Sequence, residues 1–125
     1  MKNLTLIIPT KKEVESLPVF LNELKNYKCK KMIVMQKEDL ATFNKIKKIK
    51  NIKIIKQKKR GYGNALIEGI KAVKTKYCCI INADGSMNPK YLKRMFIRKK
   101  LKVLAQFVER RRIMRSGDLV FQLLI

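Results

Sequence analysis

The chain has 125 residues, enough for one domain or for a piece of a larger one. Its hydrophobic content of 46% excludes a disordered chain, although 32% of the residues are charged. Lys and Arg outnumber Asp and Glu by 31 to 9, and the net charge of +22 reads as a solvated basic surface, with attraction of phosphates, nucleic acid or anionic lipid heads as the alternative.

Strand and helix signals alternate along the chain. Leu4–Ile8 is a short apolar run stopped by Pro9, which predicts a buried strand. Ser16 is placed to cap a helix with Pro18 in its first turn, and Leu17, Phe20, Leu21 and Leu24 recur at helical spacing. Met32–Met35 predicts a second strand. Asp39 is placed to cap the next helix, with Leu40, Phe43, Ile46 and Ile49 as its apolar stripe. Ile52–Ile55 predicts a third strand, and a polar loop over Lys56–Tyr62 leads to a helix over Asn64–Lys74 with Leu66, Ile70 and Val73 inward. Tyr77–Ile81 predicts a fourth strand, and Asn88-Pro89 has the cap and first-position pattern of a further helix. This β-α-β-α-β-α-β-α order predicts an α/β fold, a Rossmann-like parallel sheet with flanking helices. Val103–Val108 is a candidate fifth strand. The chain ends on the apolar run Leu119–Ile125, from which we expect a divided organisation: residues 1–99 as the main α/β part, and 100–125 as a divergent tail, truncated at the C-terminus.

Cys29, Cys78 and Cys79 offer no disulfide framework and no CxxC pair, and there is no histidine. A zinc site is therefore not expected. Strand neighbours point to opposite faces, so Cys78 and Cys79 read as half-buried packing residues. The first residues have too short an apolar run for a signal peptide, and no run approaches the roughly 18 residues of a membrane span. The expected location is cytoplasmic, or peripheral to the inner face of a membrane.

Three segments carry candidate chemistry. Asn82-Ala83-Asp84-Gly85-Ser86 ends the fourth strand, and side chains at i and i+2 there face one crevice. Oxygen ligands in that position suit a hard cation such as Mg²⁺ or Mn²⁺ bridging phosphate oxygens, with an Asp-Gly turn as the plain alternative. Pro9-Thr10-Lys11-Lys12-Glu13 follows the first strand at the same edge. There Glu13 is either a hydrogen-bond acceptor for a base or sugar, or a solvated loop acid. Gly61-Tyr62-Gly63 precedes a helix but lacks the third glycine of a dinucleotide fingerprint. It reads either as a tight turn or as a ligand-edge loop offering helix amides.

Taken together, these loops resemble family 2 inverting glycosyltransferases of the GT-A type. LTLIIPTKKEVESLP is similar to the family's IIPxYNExxNLP opening. RGYGNALIEGIKAVKTKYCCIINADGSMNPKYL is similar to its RGxGxALxxGxxxAxGDYxxxxDADGSHDPxxL segment, most of all in the polyprenyl- or dolichyl-phosphate mannose synthase-like branch. The resemblance implies sugar transfer from a nucleotide-diphosphate donor, with a polyprenyl phosphate or a glycan as acceptor, in cell envelope biosynthesis. It implies nucleotide-sugar contacts at Pro9, Glu13, Asn82, Ala83 and Asp84, and a metal held by Asp84 with help from Ser86. Catalytic residues are not assigned. The chain departs from the pattern at Lys11 and Lys12, where the family has Tyr and Asn. It departs again at Gln36 and Lys37, which replace an Asp pair, and at Asn82, which replaces the first Asp of DAD. Two other readings stay open: a non-catalytic truncated fragment of such an enzyme, and a basic nucleic-acid module. For the second, no helix-turn-helix, zinc finger or aromatic RNA-binding strand is evident, so no specific nucleic-acid partner is expected.

Overall fold

The computed structural model describes residues 3–83 and the backbone of 107–109. The elements follow in the order β1 (Leu4–Thr10), α1 (Ser16–Leu24), β2 (Lys30–Met35), α2 (Leu40–Ile46), β3 (Ile52–Lys56), α3 (Tyr62–Ala72), β4 (Tyr77–Ile80) and β5 (Phe107–Glu109). They build one sheet in the order β3-β2-β1-β4-β5. β1 to β4 are parallel, and β5 adds an antiparallel edge strand, with Tyr77 opposite Glu109. The four parallel strands and three helices match the predicted α/β sheet. The predicted strand over Val103–Val108 overlaps β5 at its end, and the predicted helix after Asn88-Pro89 lies outside the described residues.

Strand alternation sorts the core into two layers. Leu4, Leu6 and Ile8 of β1, Ile33 and Met35 of β2, and Cys79 of β4 pack against Leu17, Phe20, Leu21 and Leu24 of α1 and Ile46 of α2. On the opposite face Ile7, Met32, Val34, Cys78 and Ile80 pack against Ala65, Leu66 and Ile70 of α3. Cys78 and Cys79 do point to opposite faces, but both are buried rather than half-buried, because helices cover both sides of β4. Burial, and then the neighbouring Cys78 and Cys29, push the Cys79 thiol far up, so it stays a packing group.

The helices also show where local pattern misleads. Ser16 was expected as a cap; instead it is the first residue of α1, and its hydroxyl donates to the Glu13 carboxylate. In α2, Thr42 and Ile46 are buried while Leu40 is 59% exposed. Leu40 lies six residues before Ile46, roughly 120° round the helix, and so falls outside the inward face. α3 starts two residues earlier than predicted. Its Gly69 is forced by close approach, since a Cβ there would sit 2.7 Å from Ile7 Cγ2 and 3.1 Å from Val34 Cγ2. No helix among the described residues is long and apolar enough to cross a membrane.

The strand order fixes where a ligand fits. The chain steps from β1 to β2 to β3 in one direction, then crosses back to place β4 on the other side of β1. Crossovers of a single hand put α1 and α2 on one face and α3 on the other, as the two core layers show. The loops after β1 and β4 therefore leave in opposite directions, and a crevice opens between them at the carboxyl edge.

Pro9 belongs to this opening. β1 runs two residues beyond the predicted stop at Ile8, because Pro9 and Thr10 continue the pairing with β2 opposite Val34 and Met35. The carbonyls of Asn3 and Ile7 accept the amides of Tyr77 and Ile81 at 2.9 and 3.0 Å, so odd-numbered residues of β1 face β4. Pro9, which has no amide hydrogen, thus faces the side where β4 has already parted, and no ladder bond is lost.

Candidate functional site

The crevice is a cleft of about 700 Å³, lined by the loops that follow all four parallel strands. It gathers Pro9 and Thr10 at the end of β1, Lys11 to Glu13 after it, Gln36 after β2, Gln57 and Arg60 to Tyr62 after β3, and Asn82 and Ala83 after β4.

The first loop is held from two sides. Lys12 adopts φ 54°, a left-handed conformation uncommon outside glycine. Its amide donates to Asp39 Oδ2 at 2.9 Å. Asp39 also caps α2 as predicted, accepting the Thr42 amide at 3.3 Å on Oδ1 and the Thr42 hydroxyl at 2.8 Å on Oδ2. Partial burial pushes the Asp39 carboxyl up. The Thr42 hydroxyl, the Lys12 and Thr42 amides and the Lys12 charge outweigh this and hold it below the ordinary 3.8. A depressed carboxyl stabilises the fold above its unfolded pKa and loses that contribution as pH falls through the folded value. We therefore expect Asp39→Asn to flatten the acid limb of a stability-against-pH curve below about pH 4. An acid limb identical to wild type in urea titrations would remove Asp39 as a loop clamp.

The third loop is stitched to itself. Gln57 is buried, its amide donates to the Met35 carbonyl at 2.7 Å, and its Nε2 donates to the Lys59 and Gly61 carbonyls, each at 3.1 Å. Glu68 accepts the Lys58 amide at 2.8 Å, and Asn64 Nδ2 donates to the Arg60 carbonyl at 2.7 Å. Gly61 sits at φ 106°, ψ 152°, a region open to glycine and closed to side-chain-bearing residues. The Gly61-Tyr62-Gly63 segment is thus both of the things expected of it: a turn that needs glycine at Gly61, and a wall of the cleft opening α3.

Strand alternation carries past β4. Asn82 falls on the α3 face, where the Tyr62 hydroxyl donates to its Oδ1 at 3.1 Å, and Ala83 turns into the α1 core layer. Of the residues expected to contact a donor, Pro9, Glu13, Asn82 and Ala83 line this one cleft. Asp84 and Ser86 lie outside the described residues. Glu13 brings the one carboxylate among the described lining residues, already accepting the Ser16 hydroxyl. Thr10, Gln57 and Arg60 were not singled out by sequence. Thr10 Oγ1 is buried and has no hydrogen-bond partner among the described residues. A hydroxyl closing an apolar strand run was the signal available for it.

The lining is basic. Lys11, Lys12 and Arg60 stand against Glu13. Arg60 reaches Glu38 at 3.6 Å, but the two side chains are 79% and 60% exposed, so the pair holds Arg60 only weakly. Among the described residues no cluster of carboxylates and thiols could hold a cation. The donor at the strand end is an amide oxygen already engaged by Tyr62. The described wall does not fit a divalent cation.

Comparison with known proteins agrees with the fold. The mannosyltransferase PcManGT from Pyrobaculum calidifontis, solved in complex with GDP-Man and Mn2+, is 18% identical at a TM-score of 0.59 over 66% of this chain and 27% of that one. A crystal structure of S. aureus TarS, residues 1–349, is 19% identical at a TM-score of 0.59 over 80% of this chain and 32% of that one. The chain thus spans about a quarter to a third of the length of these structures. No curated protein matches it. The family model for glycosyl transferase family 2 matches residues 5–100, which take in β1 from its second residue, β2 through β4 and every described loop of the cleft. By that match the chain belongs to glycosyl transferase family 2.

Proposed function

We propose that the cleft binds the nucleotide diphosphate of a sugar donor, and that the chain is the donor-binding part of an inverting glycosyltransferase. The observation that carries this reading is the convergence of Pro9, Glu13, Asn82 and Ala83 on one cleft at the point where β1 and β4 part. Open α/β sheets take their ligands at that point. The likeness to a mannosyltransferase structure containing GDP-Man supports a nucleotide-sugar ligand. In this reading Pro9 and Glu13 border the nucleoside and Asn82 and Ala83 the diphosphate. Any Mg²⁺ or Mn²⁺ bound with the donor would rest on Asp84 and Ser86. A polyprenyl phosphate presented at the inner face of a membrane is the proposed acceptor, with residues 1–99 as the donor part and 100–125 as a separate tail.

Gln36, Lys37 and Asn82, where the family pattern that the chain resembles has acids, favour a second reading in which the chain binds a donor without transferring its sugar. Titration calorimetry with UDP, GDP and their sugar conjugates tests the common core of both. We expect saturable heat with one nucleotide series. No heat with any of them would end the proposal. Release of free or transferred sugar on prolonged incubation then separates the two readings.

A further inference from the structure

Resting on the donor-binding reading, we propose that the cleft holds the donor's diphosphate through Lys11, Lys12 and Arg60, so that nucleotide binding survives removal of divalent cations. A diphosphate carries two to three negative charges and needs them neutralised where water is partly excluded. A divalent cation does so when carboxylates gather it. Here the described lining has three cationic side chains and one carboxylate, one oxygen of which accepts the Ser16 hydroxyl, and Asp84, outside the described residues, would add a single further carboxylate. The amide at Asn82 is a weaker cation ligand than a carboxylate, and Tyr62 donates to its oxygen. Such a wall repels a free cation and attracts a free anion.

The three basic groups are also suitably held. Lys11 and Lys12 stand on the β1–α1 loop, whose left-handed turn at Lys12 is tied by the amide bond to Asp39. Arg60 precedes Gly61 in the loop that Gln57 and Asn64 fasten. Its exposed pair with Glu38 exchanges readily for a phosphate, which a guanidinium grips with two parallel hydrogen bonds. Thr10 Oγ1 adds an unpartnered hydroxyl in the same wall.

Lysines elsewhere provide an internal control. Lys30, Lys53 and Lys74 border a smaller hollow of about 120 Å³ that also takes in Thr5 and Met32, at the opposite end of the strands. Charge alone would make the two sets equivalent; the proposal does not.

The test is calorimetry on the full chain with UDP, GDP and inorganic pyrophosphate, in EDTA and in Mn²⁺. We expect affinities for the preferred nucleotide that agree within about threefold between the two conditions, and binding that weakens with added salt. Lys11→Gln/Lys12→Gln/Arg60→Gln is expected to lose about a hundredfold or more in EDTA. Lys30→Gln/Lys53→Gln/Lys74→Gln is expected to stay within about threefold of wild type. Circular dichroism verifies that both variants fold. Binding that EDTA abolishes overturns this inference and leaves the donor-binding reading intact. Equal losses in the two triple variants overturn it in favour of diffuse charge attraction. Absence of nucleotide binding in both conditions overturns both.

Discussion

Replacing Gly69 by valine is expected to destabilise the domain by about 3 kcal/mol or more, at the upper end of what overpacking a core costs. α3 crosses β1 and β2 with its backbone so close that even a first carbon at position 69 would lie 2.7 Å from Ile7 Cγ2. Ile7 is fully buried and branched at Cβ, so its methyl cannot swing aside without leaving its rotamer. Gly69→Ala separates two opposed effects. A helix-interior alanine gains up to about 1 kcal/mol over glycine. Overpacking costs about 1–3 kcal/mol, and the clash wins because Val34 Cγ2, at 3.1 Å, closes the other side. Combining it with Ile7→Ala, which removes the obstructing methyl, should give a coupling of about 1 kcal/mol or more in a double-mutant cycle read by urea unfolding. A higher unfolding midpoint for Gly69→Ala alone would show that the helix stands off the sheet further than described.

Thr10→Val is expected to move stability and binding in opposite directions. The Thr10 hydroxyl is buried in the cleft wall with no partner among the described residues, and an unmet buried polar group costs about 1–3 kcal/mol. Valine keeps the branched shape and removes that cost, so the thermal midpoint should rise. If a donor supplies the missing partner, its affinity should fall by about tenfold. A lower midpoint with unchanged nucleotide affinity would mean that the hydroxyl meets its partner within the protein.

Much of the fold was legible because its signals are local and repeated. The runs Leu4–Ile8, Met32–Met35 and Tyr77–Ile81 are largely apolar on both faces, as strands covered by helices on both sides must be; these three and the half-buried edge run Ile52–Ile55 all became parallel strands. Leu17, Phe20, Leu21 and Leu24 kept their helical face for the same reason. What was not legible depends on partners distant in sequence. Leu40 looked inward by type but lies round the helix from Ile46, while the hydroxyl-bearing Thr42 is buried because Asp39 satisfies it. Pro9 looked like a strand stop, and only the departure of β4 shows why the strand passes through it. The gathering of Pro9, Glu13, Asn82 and Ala83 could be expected from the strand order. The basic wall at Arg60 could not, because β3 stands two strands away from β1 and only the path of the loop between β3 and α3 brings Arg60 to the cleft of Lys11 and Lys12.

The proline at the parting of β1 and β4 has a kinetic meaning beyond its fit. Two neighbouring parallel strands whose ends are free can zip together, adding one bond after another. Here the next bond on that side would need an amide hydrogen on Pro9, and none exists. At the mouth of the cleft the ladder bond that would follow the Ile81–Ile7 bond therefore lacks its donor by covalent structure. A ligand group entering beside Pro9 has no Pro9–Ile81 ladder bond to displace.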